Sequence, residues 1–120
     1  MDFNGVKTGF YKDNELTNEI PDHSETPNIT LNYFFHKSGE LDLETAILLP
    51  TYHNGETTLP VLLDPYGGPH AQRVRKARGL FGVSQWFADQ GFAVVITDGR
   101  GTPGRSPNFE REVYGDLATH

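Results

Sequence analysis

The chain has 120 residues, among them 13 glycines, 8 prolines and no cysteine, and carries a formal net charge of −6. The lack of cysteine excludes disulfides, thiolate metal sites and a cysteine nucleophile. The acidic balance argues against nucleic acid as a partner, because that binding rests on neutralising phosphates.

The charge is unevenly spread. Residues 1–60 hold 3 basic and 10 acidic residues, whereas residues 61–120 hold 7 and 6. Such a split suggests two segments with different surroundings. The N-terminus has no basic region followed by an apolar run, and no apolar run is long enough to span a membrane. The expectation is no membrane partner and, by default, a cytoplasmic location.

Residues 1–28 are polar and broken by Gly5, Gly9, Pro21 and Pro27, with strand-like residues at Phe3, Val6, Phe10 and Tyr11. A flexible tail fits, and so does the end of a preceding β-rich domain. From Ile29 the pattern changes. Residues 29–35 are rich in β-branched and aromatic side chains, residues 38–40 read as a turn, and residues 41–49 alternate before becoming continuously apolar up to Pro50. The two runs predict an antiparallel pair.

Residues 59–64 form a short apolar run of the kind found in strands covered on both faces. Leu80, Val83, Ser84 and Phe87 lie at helical spacing beside Trp86, and Gly91 stands where a helix ends. Residues 92–97 form a second buried-type strand. Strand, helix at about 79–90 and strand make a βαβ unit with parallel strands. Asn108 to Leu117 could start another helix, with Asn108 or Ser106 near its N-cap. The expected class is α/β, an antiparallel hairpin continuing into a parallel βαβ unit.

Several motifs carry chemistry on paper. Gly99-Arg100-Gly101-Thr102-Pro103-Gly104 has the GxGxxG spacing of dinucleotide sites, but Pro107 blocks the helix that should run on through the third glycine. Arg73, Arg75, Lys76 and Arg78 form a basic cluster, better read as a solvated face or as partners of an acidic segment than as an anion site. His23, His36, His53, His70 and His120 show no metal-ligand spacing. None of Ser24, Ser38, Ser84 and Ser106 lies in a Gly-x-Ser-x-Gly elbow. Asp98 ends a strand, where α/β sites gather, although capping the following loop is the plainer role. The strongest constellation is Leu62-Leu63-Asp64-Pro65-Tyr66-Gly67-Gly68-Pro69-His70, at the C-terminal end of a strand expected to be buried. Its glycines allow close backbone approach, and Tyr66 offers a hydroxyl donor for a developing oxyanion. A tight turn with a packed Tyr is the alternative.

Residues 29–117 resemble the opening part of the catalytic domain in the prolyl oligopeptidase family, nearest its dipeptidyl-peptidase IV-like members. The resemblance is carried by Leu59 to His70, Ser84 to Ala88, Gly91 to Val95, and Asp98 to Thr102, in that order and at matching spacing. It implies a partial α/β-hydrolase fold in residues 29–120, preceded in residues 1–28 by the end of a β-propeller. It implies a serine exopeptidase acting near peptide N-termini, with Tyr66 supplying an oxyanion-hole hydroxyl and no cofactor or metal. The family's nucleophile elbow, Asp and His, and its propeller acidic pair, are not present, so the resemblance implies a piece of such an enzyme, inert alone. Its partners would be the remainder of the catalytic domain, the propeller and a peptide substrate, with oligomerisation possible. Two alternatives stand beside this one: a free-standing binding module that keeps half of a hydrolase sheet, and half of an unrelated esterase or lipase.

Overall fold

The structure, a computed structural model, describes residues 8–23, 30–66 and 68–116. The first element is a hairpin of β1 (Thr8–Lys12) and β2 (Glu15–Ile20), paired antiparallel. Asp13 and Asn14 join the strands with φ of 52° and 66°. Positive φ at both central residues is what a two-residue turn needs to match strand twist, and Asp and Asn tolerate it. Among the described elements this hairpin packs on no other strand or helix, which leaves Phe10, Tyr11, Leu16 and Ile20 exposed. The expected strand positions Phe3 and Val6, and the expected domain boundary near residue 28, lie outside the described residues.

A four-stranded sheet follows, built from β3 (Tyr33–Ser38), β4 (Leu43–Leu48), β5 (Val61–Leu63) and β6 (Ala93–Thr97). Its spatial order is β3-β4-β6-β5. β4 pairs antiparallel with β3 and with β6, while β5 and β6 are parallel. The helix α1 (Gly82–Asp89) lies between the two parallel strands in sequence. Both the predicted hairpin and the predicted parallel pair are therefore present.

The core forms where period-2 positions of two strands meet the helix. Ala46 and Leu48 of β4, and Val94 and Ile96 of β6, are buried together with Phe81 and Ala88. Phe81 is stacked by Tyr33 at a ring separation of 5.8 Å and met edge-on by Phe35 at 6.2 Å. Such ring pairs contribute beyond the area that they bury.

Two expectations change. The run 59–64 was expected to be covered on both faces, yet Val61 and Leu63 are 60% and 69% exposed. β5 is the outer strand of the sheet, and only its Leu62 side packs toward the core. The helix is turned as well. Of the residues at helical spacing, Leu80, Val83 and Phe87 are exposed along with Trp86, and only Ser84 lies on the buried face. The buried face carries Ser84, Gln85 and Ala88, following Phe81. The reason is spatial: small and hydrogen-bonding side chains let the helix approach β4 and β6 closely, and the bulky ones are left on the outer side.

Helix ends follow local chemistry. Gly91 has φ of +104° and donates its N–H to the Ala88 carbonyl at 2.8 Å, closing α1. An L side chain in that conformation costs about 1–2 kcal/mol. Gly91→Ala is therefore expected to lower the unfolding free energy by that amount, measured by urea titration. The second helix, α2 (Pro107–Arg111), starts at Pro107 rather than continuing through it. Ser106 is its N-cap, with its hydroxyl accepting the Phe109 N–H at 3.2 Å. Ser106→Ala should cost about 1 kcal/mol in the same titration, and an unchanged midpoint would remove the cap from the account.

Candidate functional site

β5 and β6 run parallel, so their C-terminal ends lie side by side, and in open α/β sheets ligands gather outside such ends. The chain leaves β5 through Asp64, whose N–H still bonds the Val95 carbonyl at 2.8 Å. Two residues later the main chain of Tyr66 forms an isolated parallel bridge with Asp98, which directly follows β6. Tyr66 is therefore anchored at the backbone to the strand end beside it.

The Tyr66 side chain is half-buried and folds back over Gly68. A Cβ on Gly68 would sit 3.0 Å from the Tyr66 hydroxyl oxygen and 3.1 Å from Cζ. Glycine there is what lets the ring lie against the main chain. Among the described residues the hydroxyl has no hydrogen-bond partner, so its proton is free to be donated. A phenolic donor fixed in a half-enclosed place can stabilise a developing oxyanion without reorganising.

The far end of the loop is tied to both strand ends. The buried Asp98 carboxylate accepts the Arg73 N–H at 2.8 Å through one oxygen and the Val74 N–H at 3.0 Å through the other. The Arg73 guanidinium forms a two-pronged pair with Asp64. The hydrogen bonds to Asp64 raise the Arg73 pKa above its usual range; burial opposes this, and the charges of Asp64 and Asp98 add to it. A raised cationic pKa keeps the Arg73 guanidinium charged, and the contribution of that shift is lost only in extreme alkali.

The other sequence candidates take different places. Asp98 does not cap the loop after it; it caps main-chain groups some 25 residues earlier. Of the basic cluster, Arg73 pairs with Asp64, and Arg75 and Lys76 are exposed. The GxGxxG glycines serve packing. Gly101 has φ of +83°, and a Cβ there would come within 2.8 Å of both Val113 methyls. Ser84 is buried and Ser106 caps α2. His70 is exposed on the rim of a shallow cleft with Gln72, Arg75 and Pro103. Ser24 and His120 lie outside the described residues, and among those described no cluster could hold a metal ion. A second cleft of about 680 Å³ lies between Pro69 and α2, lined by Pro107, Glu110, Val113 and Tyr114, without Tyr66.

Residues 80–120 match the sequence pattern of the prolyl oligopeptidase family. The chain is 27% identical over 84 residues to the mouse prolyl endopeptidase FAP, a match covering 70% of this chain and 11% of that protein. A protein of Bacteroides ovatus assigned as a dipeptidyl aminopeptidase IV superposes with a TM-score of 0.64 at 26% identity, over 81% of this chain and 15% of its own. The chain is thus similar to part of the prolyl oligopeptidase family's members. Porphyromonas gingivalis dipeptidyl peptidase 4 is similar too, with a TM-score of 0.59 and 28% identity over 70% of this chain and 12% of that one. Sheet and helix thus form part of an α/β-hydrolase fold, and the chain spans about one tenth of the length of the curated relatives that it matches.

Gln85, polar and fully buried, escaped the sequence reading. Asp98 was legible as a strand end, but nothing in its local pattern pointed to the Arg73 and Val74 N–H groups that it satisfies.

Proposed function

We propose that this chain supplies the first part of the catalytic domain of a dipeptidyl-peptidase IV-like serine exopeptidase, and that Tyr66 donates its hydroxyl to the oxyanion of the tetrahedral intermediate. The observation that carries the reading is the Tyr66 hydroxyl itself: unpartnered among the described residues, half-buried, and anchored where two parallel strands end. Residues 29–120 would belong to the hydrolase domain, and residues 1–28, which include the β1–β2 hairpin, to the end of a preceding β-propeller. The nucleophile, its His and its Asp would come from the remainder of the peptidase. The exposed apolar groups Val61, Leu63, Val83 and Trp86 support this reading, because an open sheet edge and an apolar helix face are ordinarily covered.

The experiment has two arms. The coding DNA is read past the codon for His120, where the frame is expected to continue into a Gly-x-Ser-x-Gly element. A frame that closes with no such element at the locus overturns the proposal. The purified 120-residue chain is then assayed with a dipeptidyl chromogenic substrate. No turnover is expected, and turnover that Tyr66→Phe abolishes would show that the chain is active without the triad.

A further inference from the structure

We propose that Asp98 is a positioning residue for Tyr66, acting through the loop 64–74. This rests on the reading of Tyr66 as an oxyanion donor. A loop that contains two adjacent glycines has a large conformational entropy to lose, and a hydroxyl donor is useful only if its oxygen is held near one place. The structure assigns that restraint to one carboxylate. The main chain of Asp98 bridges Tyr66 near the start of the loop. Its side chain holds the Arg73 and Val74 N–H groups at the end of the loop, one on each oxygen. Arg73 then reaches back to Asp64, where the loop begins. The loop is closed on itself at both ends, and Tyr66 lies inside the closure.

The carboxylate is the chemically required group. Two N–H donors need two acceptor oxygens, and a buried anion is well satisfied by backbone N–H bonds. An Asn of the same shape would turn an NH2 group toward one of those donors, which loses one bond and sets donor against donor. The Arg73–Asp64 pair is about one third exposed on each side, so its net contribution to stability is small. Its geometric contribution is larger, because a forked pair sets direction as well as distance.

The test uses the 120-residue chain and nuclear magnetic resonance, with the Tyr66 ring signal identified by its loss in Tyr66→Phe. Asp98→Asn is expected to speed amide exchange at Arg73 and Val74 by about tenfold or more and to shift the Tyr66 ring resonance. The α1 amides of Trp86 to Asp89 should keep their protection. A released Arg73 and Val74 with an unmoved Tyr66 ring overturns the proposal, and so does an unmoved ring with both amides still protected. If Asp98→Asn also exposes the α1 amides, Arg73→Lys decides. It keeps the charge and the backbone bonds but loses the fork, and it must shift the Tyr66 ring or the proposal fails. Because the readout is a ring position and not a turnover, this result is independent of whether Tyr66 proves to act in catalysis.

Discussion

In a peptidase that joins this segment to a complete triad, Tyr66→Phe is expected to lower kcat by about 10²–10³ with little change in KM, the loss typical of one oxyanion donor. The substitution removes one oxygen and leaves the ring. That ring is what lies over Gly68, so the loop keeps its packing. The hydroxyl has no partner among the described residues that the change would strand, so the melting temperature should stay where it was. Rate and stability therefore separate cleanly in this variant. The decisive measurement is kcat/KM on a dipeptidyl substrate beside a thermal unfolding curve. An unaltered kcat takes Tyr66 out of the mechanism, and a lost melting transition makes its role structural.

Gln85→Leu should be the most damaging conservative change in the described core. Gln85 is fully buried on the inner face of α1. Its Oε1 accepts the Asn32 N–H at 2.9 Å, and its Nε2 donates to the Leu49 carbonyl at 2.8 Å and to Asp89 Oδ1 at 3.1 Å. One side chain thus satisfies main-chain groups just before β3 and just after β4, and ties both to the helix. Leucine fills nearly the same volume and offers neither donor nor acceptor. Two main-chain groups would be stranded, at about 1–3 kcal/mol each, so a loss of about 2–6 kcal/mol is expected. Urea unfolding measures it. A change below about 0.5 kcal/mol, the range of ordinary surface substitutions, would mean that water replaces the side chain. Asp89 also accepts the Thr51 N–H at 2.8 Å, so the same network sets how the loop after β4 leaves the sheet.

What the amino-acid order determined unaided was local. Alternation in residues 41–49 specified β4, the Leu59 to Asp64 run specified β5, and Gly91 marked the end of α1, because each depends on chain geometry within a few residues. The antiparallel pair and the parallel pair followed from connection length: a short turn joins neighbours, and a helix-containing crossover returns the chain parallel. The Tyr66 loop was legible for the same reason, since its glycines, prolines and aromatic hydroxyl stand together after a strand. The faces were decided elsewhere. Leu80, Val83 and Phe87 have the spacing of a core stripe, yet the sheet lies against Ser84, Gln85 and Ala88. Periodicity states that a helix has two unlike faces, and only packing states which one the sheet takes. Asp98 is the clearest case. Its partners Arg73 and Val74 are some 25 residues away, and no local pattern links a carboxylate to N–H groups at that distance. The pairing exists because parallel β5 and β6 bring their ends together, and that is a property of the tertiary structure alone.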